Sequence, residues 1–175
     1  MFLTPYISSE LCFNHMKFVV NFKGMVADNK WHNETNFEKL DNVTQVYAFI
    51  FDEQGKVCLI KYKGMWGIPG GTPEKEDNSF EETLIREMRE EANIDLKNIK
   101  RVGYIEVIPR EGSKIHYLLR YIAFVKNINE QTEDPAIGEI LERKFIDPKD
   151  ICEYINWGEC EFQLNKAIEF KRDIN

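Results

Sequence analysis

The sequence predicts an α/β fold, a mixed β-sheet packed between helices, and two patterns carry that prediction. Runs rich in β-branched and aromatic residues recur along the chain and are interrupted by one long amphipathic segment near residues 79–93. Further helical patterns close the chain after residue 148, so helices are available to cover both faces of a sheet. With 175 residues, 43% of them hydrophobic, one sizeable core can be buried, and a single compact domain is expected.

Taken in order, residues 1–42 are read as an N-terminal extension packed on a main domain of residues 43–175. Leu11 to Phe22 is apolar-rich and strand-like, whereas Met25 to Asp41 is polar and turn-like. Leu11, Phe13, Phe18, Val19 and Phe22 need burial, at the sheet edge or in a homodimer contact. Val43 to Phe51 and Val57 to Tyr62 form two strands around the turn Asp52 to Gly55, a hairpin pattern. The glycine-rich GMWGIPGG follows at Gly64 to Gly71, then the polar loop TPEKEDN.

The helix starts at Ser79, an N-cap with Glu82 placed for a capping box, and Asn93 suits its C-terminal cap. Phe80, Leu84, Ile85, Met88 and Ala92 share one side of a helical wheel and form its core stripe. Strands are expected at Val102 to Ile108 and Ile115 to Val125, around the turn-prone Pro109 to Ser113, and again at Glu142 to Ile146. Pro148 opens a helical segment through about Tyr154, and a last helix runs from Glu159 to Lys171.

Charge and cysteine usage narrow the function. A balance of 23 basic against 30 acidic residues, net charge -7, argues against nucleic-acid binding by charge alone. Cys12, Cys58, Cys152 and Cys160 form no CxxC pair and fit idle thiols of a reducing compartment. The N-terminus lacks a secretory pattern and no apolar run is long enough for a membrane span, so a cytoplasmic protein is expected. His15, His32 and His116 show no ligand spacing.

The chemistry is concentrated on the helix. Glu87, Glu90 and Glu91 lie at i, i+3 and i+4, within an arc of about 100° beside the apolar stripe, and can converge on one point. Arg86 and Arg89 relieve part of their repulsion, and a divalent cation would relieve more; magnesium suits such hard oxygen ligands. REMREE alone is better read as a solvated charged face. Gly67, Gly70 and Gly71 around Pro69 let the preceding backbone approach a ligand closely.

Together these residues resemble the Nudix family, whose box reads glycine, five residues, glutamate, seven residues, then REUxEExGU, U being aliphatic. WGIPGG at Trp66 to Gly71 is similar to the family's usual lead-in, and REMREEANI at Arg86 to Ile94 to its helix; the resemblance spans Val43 to Tyr154. Two departures stand out. Fourteen residues separate Gly71 from Arg86 where the family has thirteen, so the first box acid is Asp77 counted from Gly71, Asn78 counted from Arg86, and Glu76 is the nearest glutamate. Asn93 stands where the box has glycine.

The resemblance implies an α/β/α sandwich and a magnesium-dependent pyrophosphohydrolase, manganese being able to substitute, with a nucleotide-like small molecule as substrate. It implies Glu90 and Glu91 as main metal ligands, Glu87 sharing metal or base duty, a Gly70 or Gly71 carbonyl completing the shell, and Arg86 tying loop to helix. A later glutamate often assists, and Glu139 is the first candidate, Glu142 the second. Lys61 and Lys63 alternate onto one strand face beside the glycine loop and are candidates for phosphates; Trp66, Tyr47 and Tyr104 are candidates for stacking on a base. Pro109 lies 15 residues past Ile94, close to where ADP-ribose-cleaving members tend to carry a proline, so ADP-ribose-like and nucleoside triphosphate substrates both stay open. The alternative is a Nudix-fold nucleotide sensor without catalysis, although such proteins usually lose box glutamates that are kept here.

Overall fold

A computed structural model describes residues 16–22, 25–156 and 159–172. Its centre is a mixed sheet of strands β1 (Lys17–Phe22), β2 (Met25–His32), β7 (Ile94–Pro109), β8 (His116–Ile128), β3 (Val43–Phe51), β4 (Val57–Tyr62) and β5 (Met65–Gly67), in that spatial order. The short β6 (Gly70–Gly71) pairs with β3, and β9 (Glu142–Ile146) pairs with β4. β3 and β8 run parallel, and the other pairs are antiparallel.

Alternation along the strands feeds two cores. On one face Val46, Ala48 and Ile50 of β3 meet Leu119, Tyr121 and Ala123 of β8 beneath helix α1 (Phe80–Ala92), which contributes Leu84, Met88 and Ala92. On the other, Phe49, Phe51, Leu59 and Ile122 are covered by α2 (Ile151–Tyr154) and α3 (Cys160–Arg172) through Ile151, Cys160, Leu164 and Ala167. The result is an α/β/α sandwich. Among the described residues no helix is long and apolar enough to cross a membrane.

Several elements differ from the sequence reading. Residues 25–32 are a strand rather than a turn-like stretch, because pairing with β7 satisfies their backbone and sends Trp31, 1% exposed, into the core against Phe162 at 5.8 Å. Their polar composition hid this. β7 begins at Ile94, eight residues before the expected Val102, and its ladder with β8 is broken by register shifts near Asp95, Lys97 and Arg101, which erase the period of two that marks a strand. Of the expected strand from Leu11 to Phe22, residues 16–22 are described, and Lys17–Phe22 of these form β1. Leu11, Phe13, Cys12 and His15 lie outside them.

Helix α1 starts as expected, with Ser79 Oγ accepting the Glu82 N–H at 3.2 Å. The return bond differs: Glu82 accepts from the Asn78 N–H and side-chain amide, both at 2.8 Å, one residue before the cap. Asn93 closes the helix in the left-handed region, φ 47 and ψ 53, its N–H donating to the carbonyls of Met88 and Arg89. Thr83 joins the buried stripe, whereas Ile85 is half-buried on the side of Arg86 and Arg89.

Candidate active site

Two glycines bring the loop onto the helix. Gly71 faces Glu87 so closely that a Cβ there would occupy the space of its carboxylate. Gly70 has φ +138, and a Cβ on it would strike the Val46 carbonyl and Tyr47. Both tolerances are used at one point, where β6 is wedged between β3 and α1, and there the Gly70 N–H donates to Glu91 Oε2 at 3.0 Å.

Arg86 organises the rest. Its Nε and one terminal nitrogen grip both oxygens of Asp77, at 3.1 and 3.0 Å, and that nitrogen also donates to the Thr72 carbonyl at 3.0 Å. The other terminal nitrogen bridges Glu87 and Glu90, each at 3.0 Å. Asp77 therefore stands in the brace that the lengthened loop left ambiguous; Asn78 instead caps toward Glu82, and Glu76 is exposed. The Arg86 hydrogen bonds hold the Asp77 carboxyl down at about 2.

The carboxylates nearest the glycines behave oppositely. Burial pushes Glu91 up to about 8, against the pull of the Gly70 N–H, with Glu87, Asp134 and Glu90 adding repulsion. Burial also raises Glu87, while Arg86 opposes the shift. Asp134, 5% exposed, is the acid that sequence reasoning missed. Its Oδ1 accepts the Ala136 and Ile137 N–H groups at 2.8 and 3.2 Å, which fixes it at the head of a turn. An Asp-Pro pair at Asp134 and Pro135 marks such a turn in sequence, but nothing local says that the turn folds back toward the helix.

Other sequence candidates form a second group. Lys61 pairs with Glu142 at 3.1 Å and lies over the Trp66 ring at 5.4 Å. Lys63 sits in the turn after β4, with φ 48, over Tyr62 and within the field of the exposed Glu139. Trp66 is half-buried, edge-on to Tyr154 at 5.9 Å. Tyr104 lies in the core under α1, stacked on His32 at 4.6 Å.

On the α2–α3 side, a cavity of about 1010 Å³ reaches from Asn29 on β2 to Tyr47 on β3 and touches Gly67 and Ile68 of the glycine loop. Arg120, 4% exposed, lines it with its guanidinium 5.3 Å from the Tyr47 ring, and its Nε donates to Gln163 Oε1 at 2.6 Å. A lone cation inside the apolar run YLLRYIAFV was a visible signal for this residue.

The NUDIX domain model matches residues 41–164, which takes in the glycine loop, the whole of α1, Asp134 and β9. This chain belongs to the Nudix family. Among solved structures, this Nudix chain is similar to the Bacillus subtilis pyrophosphohydrolase BsRppH, TM-score 0.66 at 18% identity, over 82% of this chain and 92% of that one. It is similar to the NUDIX domain of Shewanella oneidensis NrtR complexed with ADP ribose, TM-score 0.58 at 19% identity, over 79% of this chain and 94% of that one. An ADP-ribose pyrophosphatase from Streptococcus suis aligns with TM-score 0.52 at 18% identity, over 73% and 90%. No curated protein matches the sequence. At these identities the likeness is one of Nudix fold. Strands β1 and β2, with Asn29 and Trp31, lie before the matched segment.

Proposed function

We propose that the protein is a magnesium-dependent pyrophosphohydrolase that cuts a phosphoanhydride bond in a nucleoside diphosphate-linked substrate. One observation carries this reading: Glu87, Glu90 and Glu91 stand on a single helix against Gly70 and Gly71, with Asp134 from a distant loop adding its charge to Glu87 and Glu91.

The donor set suits a hard divalent cation. As the side chains stand, Glu87 and Glu90 turn to Arg86 and Glu91 to the Gly70 N–H, and among the described residues no group of three acidic, histidine or cysteine side chains is arranged to hold an ion. The chemistry of the cluster nevertheless fits: Glu87, Glu90, Glu91 and Asp134 share one neighbourhood with Arg86 as the guanidinium that bonds two of them, and burial leaves Glu91 under-compensated. Glu87, Glu90, Glu91 and a Gly70 or Gly71 carbonyl would hold the metal. The bound ions would compensate charge on the attacking and leaving oxygens as water attacks phosphorus. Arg86 and Asp77 keep the loop on the helix, so glycine backbone and carboxylates stay in register. Asp134, fixed by two backbone N–H groups, is placed ahead of Glu139 and Glu142 as the later acid that takes a proton.

The test is a panel of nucleoside triphosphates, dinucleotides and nucleotide sugars incubated with magnesium, manganese or excess chelator. Release of a nucleoside monophosphate or pyrophosphate is expected with either metal and is abolished by chelator. Full turnover in chelator at confirmed zero metal overturns the metal assignment. Tight nucleotide binding with no release from any substrate replaces the enzyme with a nucleotide sensor.

A further inference from the structure

The cavity has a direction. Across the strand order β2-β7-β8-β3 its floor is built from register partners: Asn29 beside Val107, Ile105 beside Leu118, and Arg120 beside Tyr47. Polar side chains therefore occur at both ends, with an apolar stretch between them. Three strand spacings across and four residues along put the ends about 20 Å apart. A nucleoside alone does not bridge that span, whereas an extended nucleoside diphosphate with a hydrogen bond at each end does.

The two ends differ. At the β3 end Gly67 and Ile68 line the cavity and Tyr47 pairs with Gly70, whose N–H holds Glu91, so a ligand lying there is against the glycine loop that separates it from the carboxylates. The buried Arg120 guanidinium brings positive charge to that end, part of it answered by the buried Glu159 carboxylate that lines the same cavity. At the β2 end, Asn29 is 7% exposed and its Oδ1 has no hydrogen-bond partner among the described residues. A buried amide oxygen left so is costly, and a ligand N–H removes the cost. A carboxamide offers one acceptor and one donor side by side, the complement of adenine's amino group and adjacent ring nitrogen.

We propose that this cavity receives the nucleoside diphosphate half of the substrate, with the Asn29 amide reading the amino edge of an adenine base and the diphosphate lying toward Arg120 and the Gly70–Gly71 loop. The inference rests on the pyrophosphohydrolase reading for its orientation. It places base selection on β2, ahead of the segment matched by the family model.

The test uses the full chain and two non-hydrolysable probes, α,β-methylene-ADP and α,β-methylene-UDP, titrated calorimetrically with magnesium against wild type, Asn29→Leu and Asn29→Asp. Wild type is expected to prefer the adenine probe. Asn29→Leu should weaken that probe by about tenfold or more and leave the uracil probe unchanged. Its melting temperature should be no lower than that of wild type, because an unpartnered buried oxygen is gone. Asn29→Asp, which keeps an acceptor and loses the donor, should fall between and carries the test if the leucine variant does not fold. Equal weakening of both probes, no weakening of either, or no binding by wild type overturns the proposal. Asn29-dependent binding without hydrolysis of any panel substrate would leave base reading intact and remove the enzyme. Hydrolysis indifferent to Asn29 would do the reverse.

Discussion

Glu91 and Asp77 lie on the same stretch of loop and helix and are shifted in opposite directions, which makes their variants distinguishable. Glu91→Gln keeps size and helix propensity while removing a charge from the cluster, and turnover on any panel-identified substrate should fall by about a hundredfold or more. Activity that survives in both Glu91→Gln and Glu90→Gln would sink the catalytic assignment. Because the folded-state value of Glu91 is raised to about 8 from an ordinary 4.5, the folded protein binds the extra proton between those values and metal-free stability declines as pH rises through them. Glu91→Gln should flatten that decline in chelator-treated melts from pH 5 to 9. Asp77 runs the other way: held at about 2 against an ordinary 3.8, its contribution is complete above 3.8 and disappears as pH falls toward 2. The stability gap between wild type and Asp77→Asn should therefore close over that interval in acid titrations. A gap independent of pH would mean that the Asp77 charge is not what braces the loop.

At the scale of elements, α1 is held at both ends by residues that its sequence advertises. Asn93 combines a left-handed backbone with a side-chain amide that donates to the Glu130 carbonyl at 2.6 Å, tying the helix end to the loop that follows β8. Asn93→Ala should cost about 1–2 kcal/mol from the left-handed conformation alone. Asn93→Gly, which restores the family's usual residue, removes that strain and loses only the tie to Glu130, so its denaturation midpoint should lie above that of the alanine variant. If alanine and glycine destabilise equally, backbone strain is not what selects asparagine here. The loop before the helix was less legible. Its length alone could not decide between Asp77, Asn78 and Glu76, because each is within reach of Arg86 in an unfolded register; the bidentate Arg86 contact selects Asp77.

For the whole molecule, the N-terminal strands are part of the sheet and of its core. Trp31 is fully buried on the α3 side and pairs through β2 with Ile105, and Phe18 of β1 joins the same cluster. Trp31→Ala should lower unfolding free energy by about 3–5 kcal/mol, as expected for a buried large aromatic, measured by urea denaturation. A loss within about 1 kcal/mol would mean that β2 docks loosely and that the domain of residues 43–175 stands without it.

Read from sequence alone, the sandwich and the box helix were visible because their signals are local: alternating strands, an amphipathic stripe, Ser79 and Asn93 as caps, and Glu87, Glu90 and Glu91 at helical spacing. What only tertiary structure decided concerns groups brought together from distant parts of the chain. Asp134 adds its charge to the field on Glu87 and Glu91 from a distant loop, Arg120 meets Tyr47 across a parallel pair, and Asn29 reaches the cavity because a polar segment found backbone partners on β7. Periodicity and spacing report on neighbours within a turn or a strand. Long-range pairing carries no such imprint, since its hydrogen bonds are made by backbone that every residue shares.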